Sequence, residues 1–349
     1  MKTNDYYVNS SQLIEKCLKG VPFVSEIKFQ EMAKDLPGPD FIVILRQAGR
    51  DSKLIIEAKA KGEPRQVKDA VNQLFRYKQE FPGAYPVVCA PYISAESSEI
   101  CRKNNVGYID SAGNCFIAFE NIFIERNGNP NPNPSRRGLR SMYQPRSSRI
   151  LRVLMCNPGK VWKLAELKQE AAVSIGQVYN VKQLLLDKEW VKEEQEGIRL
   201  FKPEALLKNW AEAYTFRKNT VYDFYTLKSL TQIEEEIASK TNQNNIRYAL
   251  TAFSGAARLA PAVRYARATV YISEDINRVA ALLDLKPVTS GANITLMLPY
   301  DDGVFYGSRE VDGLMIASPI QIYLDLKGFR GRGEEAAESI LSQVIQKSW

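Results

Sequence analysis

Three side chains in the segment PDFIVILRQAGRDSKLIIEAKAKG have the types and spacing to do chemistry: Asp40, Glu57 and Lys59. Two apolar runs, FIVIL and KLII, flank a turn at Gly49 and Arg50, which predicts a β-hairpin. Folded about that turn, Asp40 faces Ala58 or Lys59 across the neighbouring strand. Side-chain alternation puts Glu57 and Lys59 on one face, which Asp40 can share. Two carboxylates and an ammonium then converge at one edge of a sheet. Such a set either holds a divalent cation or forms a surface ion cluster. The chain contains no histidine, which excludes Ser-His-Asp triads, Cys-His nucleophiles and HExxH zinc sites. Chemistry here falls to carboxylates, lysine or hydroxyls, most simply with an oxygen-preferring cation such as Mg²⁺.

The elements that must carry these residues are an amphipathic helix over Ser10–Lys19, a strand over Val21–Phe29, the hairpin, and a helix over Glu63–Phe81. YPVVCAP reads as a buried strand, SAESSEICRKNN as a helix capped by Ser94, and VGYID as a further strand. This order predicts an α/β core. With Pro-Asp opening the second strand and Glu-x-Lys closing the third, the first 110 residues or so resemble the PD-(D/E)xK nuclease superfamily. The chain has six (D/E)xK triplets, and only that at Glu57 ends an apolar strand across a hairpin from Pro-Asp. The resemblance implies Asp40 and Glu57 as metal ligands, Lys59 as the residue positioning an attacking water, and Glu15 of the first helix as an assistant. Gln73 and Tyr77 resemble the QxxxY element of some members. DSAGN, Asp110–Asn114, reads as a turn in which Gly113 and Asn114 suit positive φ, with a binding role for Asp110 and Asn114 as the alternative.

At 349 residues with 45% hydrophobic and 25% charged content, the chain is of ordinary globular composition and long enough for two or three domains. No stretch approaches the length of an apolar membrane span. The five cysteines show no CxxC spacing, and the opening MKTNDYYVNSSQ is polar, so a cytoplasmic protein with reduced thiols is expected. The net charge of +7 is unevenly spread. Between Arg126 and Ala165 there are nine basic residues and no acidic one, among them Arg136, Arg137, Arg140, Arg146, Arg149, Arg152, Lys160 and Lys163. Such a run fits a polyanionic partner, or else a solvated linker. Its Asn-, Pro- and Gly-rich start, NGNPNPNPSRRG, marks a domain boundary. The expected organisation is a nuclease-like α/β domain over 1–127, a basic linker over 128–145, a third unit over 146–216 and a last α/β unit over 217–349. The fold class is therefore α/β and α+β multidomain.

The unit at 146–216 reads as a winged helix-turn-helix. Ile150, Leu151, Val153 and Leu154 make the first helix apolar, NPGK ends it, and Lys163–Ala171 forms the second. Ser174 caps a third helix on which Val178, Val181 and Leu185 point inward. Gln177, Tyr179, Asn180, Lys182 and Gln183 remain outside, as on a helix that reads base edges in the major groove. WVKEE and IRLF form the wing. Its tip is acidic (Glu193, Glu194, Glu196) and unsuited to a groove, so Arg146, Arg149, Arg152 and Lys163 are expected to supply the phosphate contacts. The alternative is a small helical module for protein contact.

The last unit mixes strands (ATVYIS, ANITLMLP, GLMIAS) with helices (DINRVAALLDL, SPIQIYLDLKG, GEEAAESILSQVIQ). With YALTAFSGAARLAPAVRYARATVYIS, the SPIQIYLDLKGFRGRGEEAAESIL ending and DSAGN, it resembles the AbiEi-type antitoxin and regulator family of type IV toxin–antitoxin systems. That resemblance implies a DNA-binding winged helix and a domain that counters a nucleotidyltransferase toxin. Shorter members open with the winged helix, whereas here it is central. GRG at Gly331–Gly333 is a glycine turn between helices or a phosphate cradle, and no nucleotide-triphosphatase motif occurs. Asp301 and Asp302 in YDDG are expected in a turn. The leading expectation is a cytoplasmic duplex-DNA-binding regulator needing no cofactor. A Mg²⁺-dependent endonuclease using Asp40, Glu57 and Lys59 is the alternative, and a protein-interaction scaffold the second.

Overall fold

The computed structural model describes residues 3–19, 24–31, 38–47, 50–132, 142–262, 264–329 and 331–349. The expected turn residue Gly49, the strand start at Val21, and Arg136, Arg137 and Arg140 of the basic run lie outside them. The chain is a mixed α/β protein of two compact units, 1–135 with 186–189, and 136–185 with 190–349.

In the first unit, α1 (Thr3–Leu18) precedes β1 (Val24–Glu31), β2 (Phe41–Gln47) and β3 (Arg50–Ala58). Then come α2 (Pro64–Glu80), β4 (Tyr85–Ala90), α3 (Ala95–Lys103), β5 (Gly107–Asp110), β6 (Cys115–Phe119) and β7 (Ile122–Arg126). The seven strands form one sheet in chain order, antiparallel at both ends and parallel from β3 through β4 to β5. Helices α2 and α3 make the two crossovers that parallel neighbours require. β4, at the centre, is apolar on both sides, as a strand covered on both faces must be. One core packs α1 against Val43, Leu54 and Ile56, and the other packs α2 and α3 against Ile42 and Ile55. Helix α2 starts with Pro64 in its first turn and buries Val67, Ala70, Val71 and Leu74 at helical spacing.

In the second unit, α4 (Pro145–Cys156), α5 (Leu164–Glu170) and α6 (Ile175–Asp187) lead into the hairpin β8 (Val191–Glu194) and β9 (Gly197–Leu200), then α7 (Pro203–Ala213). A mixed sheet follows, with strands β10 (Thr220–Tyr225), β11 (Tyr248–Leu250), β12 (Ala268–Ile272), β13 (Lys286–Pro287), β14 (Ile294–Leu298), β15 (Arg309–Val311) and β16 (Leu314–Ile316). Their spatial order is β13-β10-β14-β12-β11-β16-β15. Five helices accompany them: α8 (Leu230–Gln243), α9 (Ala252–Leu259), α10 (Ile276–Leu282), α11 (Pro319–Leu326) and α12 (Arg332–Ile340). The β8–β9 hairpin is held close by Gly197, where an added Cβ would sit 2.1 Å from the Trp162 carbonyl oxygen. Asp301 caps a short 3-10 turn over Asp302–Phe305 by accepting from the Gly303 amide at 2.8 Å.

The expected boundary near residue 217 does not separate compact units. Buried polar groups weld the helices before it to the sheet after it. Asp325, 1% exposed, accepts from Tyr214 Oη at 2.6 Å, Thr251 Oγ1 at 2.5 Å, Tyr271 Oη at 2.9 Å and Gln321 Nε2 at 3.0 Å. Gln321 Oε1 in turn accepts from Arg152 Nη2 at 2.6 Å. Apart from Gln321 and Asp325, which are one helical turn apart, these partners lie 54 to 169 residues apart in sequence.

Candidate functional site

The β2–β3 register sets the geometry of the carboxylate cluster. Phe41 pairs with Ile56 and Gln47 with Arg50, so Asp40 lies across from Glu57. The expected partner, Ala58 or Lys59, is wrong by at least one position, because the pairing closes on Gln47 and Arg50 rather than turning about residues 49 and 50. Since Ile42 pairs with Ile55 in the α2-facing core, Asp40, Glu57 and Lys59 share that face. Asp40 Oδ2 accepts from the Ala58 amide at 2.7 Å. Lys59 Nζ donates to Glu57 Oε1 at 2.7 Å and to Gln73 Oε1 at 2.5 Å.

Burial pushes the Glu57 carboxyl above its ordinary value against the opposing pull of Lys59, and the charge of Asp40 adds to the rise. The Tyr77 phenol is likewise raised, by burial first and then by the charge of Glu57. Gln73 and Tyr77 therefore both face the cluster. Glu15 does not join it. Its helix packs on the opposite face of the sheet, and its carboxylate pairs with Lys19 at 2.8 Å. The periodicity that identified α1 as amphipathic says nothing about which sheet face it covers.

Beside the cluster opens a cleft of about 760 Å³ lined by Lys59, Gln66, Asp69, Asn72, Gln73 and Arg76. Arg76 is the cation that sequence reading missed, although it lies one turn from Gln73 on the polar stripe of α2. It helps to hold Glu57 ionised. Among the described residues no group of three or more His, Cys, Asp or Glu is placed to hold a metal ion. Asp40 and Glu57 are a two-carboxylate set, which suits Mg²⁺ that keeps most of its waters and suits no fully caged ion. Asp110 is structural: its carboxylate accepts from the Ile93 amide at 3.0 Å and the Asn114 amide at 2.9 Å. Of the two residues expected at positive φ in that turn, only Gly113 adopts it.

The second candidate surface is α6. Val178, Val181 and Leu185 are buried beneath it, while Tyr179 is 54% and Ile175 50% exposed, and Asn180 is exposed beside them. Ser174 Oγ accepts from the Gln177 amide at 3.2 Å, a capping bond. Gln177 is half-buried and donates to Ser147 Oγ at 2.8 Å. Lys182 pairs with Glu193 of β8 at 2.8 Å, Lys163 with Glu196 at 3.0 Å, and Gln183 is half-buried.

Two expected phosphate contacts are corrected by this structure. Arg152 is 1% exposed, lies 5.0 Å over the Trp210 ring, and bonds Ser148 Oγ at 2.8 Å as well as Gln321. Arg149 is half-buried and chelates Asp301, with Nε at 2.9 Å and Nη2 at 2.8 Å. Both guanidiniums are turned into the unit, and Arg146, in the first turn of α4, stays exposed.

Residues 199–346 match the family model described as "Transcriptional regulator, AbiEi antitoxin, Type IV TA system". The match begins within β9 and runs through α7 and the whole mixed sheet. No curated protein matches the chain. Among solved structures, "Structure of EndoMS in apo form" is similar over 29% of this chain at 12% identity and a TM-score of 0.22; the chain covers 45% of that protein. Among the described residues no helix is long and apolar enough to cross a membrane.

Proposed function

We propose that this chain is a cytoplasmic transcriptional regulator of the AbiEi antitoxin kind that docks duplex DNA through α6. The observation that carries this reading is the exposed face of Ile175, Tyr179 and Asn180 on a helix whose opposite face is buried. A side chain like Asn180 can bond an adenine edge, and an apolar one can touch a thymine methyl. Arg146 and Lys160, both exposed, together with Lys163, are the cations that flank this face in sequence. The family match over 199–346 supports a regulatory and antitoxin role, and the counterpart we propose is a toxin of the nucleotidyltransferase type.

The test is duplex titration by fluorescence anisotropy across a salt series. Binding should weaken steeply with salt, and Arg146→Ala should flatten the log–log slope by about 0.9. Asn180→Ala should cost about 1–3 kcal/mol of base discrimination and leave non-specific binding unchanged. Failure to bind duplex at low salt, or indifference to both variants, removes DNA docking through α6.

A second reading is favoured by the meeting of Lys59 with both Glu57 and Gln73 across from Asp40. It is a Mg²⁺-dependent endonuclease. Asp40 and Glu57 would hold the cation, which supplies charge neutralisation and an acidified water when bound. Lys59, fixed by two bonds, orients polar groups at the cleft mouth, and Arg76 is available to a phosphate. Plasmid incubated with Mg²⁺ or Mn²⁺ should be cut by the wild type and left intact by the Asp40→Ala, Glu57→Ala protein. Intact plasmid in both samples leaves the cluster structural.

A further inference from the structure

We propose that the C-terminal sheet carries a nucleotide-binding pocket, separate from the DNA-docking face of α6 and independent of the regulator reading. A cavity of about 440 Å³ lies beside the start of β12, lined among others by Phe253, Phe329, Tyr265, Arg264, Arg267 and Arg332. Its volume falls in the range of about 300–1,000 Å³ that small-molecule sites occupy. The lining joins an aromatic wall to a cationic one. One side is aromatic and fixed. Phe329 stacks on Phe216 with centroids 5.1 Å apart, Phe253 packs on Phe329 at 5.3 Å, and Tyr265 is anchored through its hydroxyl to buried Glu234 at 2.9 Å.

The other side is cationic. Arg267 is oriented by a bond to the Ala292 carbonyl at 3.1 Å and faces Asp223 at 3.4 Å. Arg332 donates to the backbone carbonyl of Arg264. Among the described residues, neither Arg264 nor Arg332 forms an ion pair with a carboxylate. Three guanidiniums line one cavity, of which only Arg267 faces a carboxylate, that of Asp223; they favour an anion, and arginine is the side chain best shaped for phosphate. The aromatic wall adds a demand for a flat ring, which base–aromatic stacking meets. A phosphate bearing a heterocyclic base satisfies both walls together. The first turn of α12 carries Glu334 and Glu335, so the phosphate belongs on the arginines and not on that helix terminus.

The experiment is calorimetric titration of the full chain with ATP, GTP, adenosine and inorganic tripolyphosphate, repeated on the Arg264→Gln, Arg332→Gln double variant. Both arginines are exposed, and an unchanged melting temperature verifies that the variant is folded. At least one nucleotide should bind saturably. The double variant should weaken that binding by roughly tenfold or more, the loss of charge-assisted bonds to phosphate. Adenosine and tripolyphosphate should each bind at least roughly tenfold more weakly, since each lacks what one wall recognises. No heat with either nucleotide at millimolar concentration overturns the proposal, as does binding indifferent to the double variant. Tripolyphosphate binding as tightly as nucleotide reduces the site to an anion patch. A single-stranded oligonucleotide that needs both arginines while nucleotides fail to compete reassigns the face to nucleic acid. Either result defeats the nucleotide reading.

Discussion

Glu57 is where a single side chain decides most. Folding raises its proton affinity because burial outweighs the help of Lys59. A carboxylate raised in this way adds stability that is fully present below its ordinary value of 4.5 and is lost as pH climbs through the raised one. At neutral pH its charge therefore opposes folding. Glu57→Gln should melt higher than wild type at pH 7, and the gap should close as the pH falls below 4.5. A thermal-shift series over pH checks this, and a variant that melts lower at neutral pH contradicts it. The same measurement with Mg²⁺ has a predicted sign: the cation should raise the wild-type midpoint at neutral pH and leave the variant unmoved, since only the wild type can offer both carboxylates. Asp40, Glu57, Lys59 and Gln73 were legible because strand alternation and helical spacing are local rules. The outlying Glu15 was not, because nothing local states which face of the sheet a helix covers.

Among the elements, α4 teaches the most about reading charge. Arg146, Arg149 and Arg152 recur every three residues in a stretch free of acids, which is how a phosphate-contacting helix face looks in sequence. Only Arg146 remains in solvent. The partners of the other two, Asp301 and Gln321, are 152 and 169 residues downstream, beyond the reach of any local pattern. Arg152→Ala should therefore lower stability by about 2–5 kcal/mol, as a buried large-to-small change that also strands Ser148 and Gln321 does. Urea unfolding gives the number, and the salt slope of DNA binding by the remaining folded protein should stay unchanged. A lowered slope at undiminished stability would restore the phosphate role. The β8–β9 hairpin allows a cleaner test. Gly197→Ala forces a Cβ against the Trp162 carbonyl oxygen, and Trp162 exchanges two backbone bonds with Ile198, at 2.8 and 3.0 Å. It should destabilise by about 1–3 kcal/mol through overpacking. The helical periodicity of α6 was readable residue by residue: Val178, Val181 and Leu185 are all buried as their spacing requires. In the last sheet the long apolar strands β12 and β14 were legible. The short strands β11, β13 and β15 were not, since two or three residues carry no period.

For the whole molecule, composition placed four segments where the structure has two compact units. The Pro- and Asn-rich stretch marks a change of unit, whereas the soft boundary near 217 is crossed by Arg152, Tyr214, Gln321 and Asp325. Residues 136–349 should consequently unfold in a single calorimetric transition, helices α4 to α6 and the β8–β9 hairpin melting together with the mixed sheet. Two separated transitions would show the buried bonds too weak to couple them. Asp325→Ala should abolish that transition or lower it steeply, because three hydroxyls and an amide lose their acceptor at once. The same cluster has a consequence for inheritance. Changing one member strands its partners, while exchanging the set for well-packed apolar residues is nearly neutral. Positions 152, 214, 251, 271, 321 and 325 should therefore drift through descent as a block, none changing alone and all replaced together. In a screen for loss of function, single changes there would register as lesions while touching no ligand.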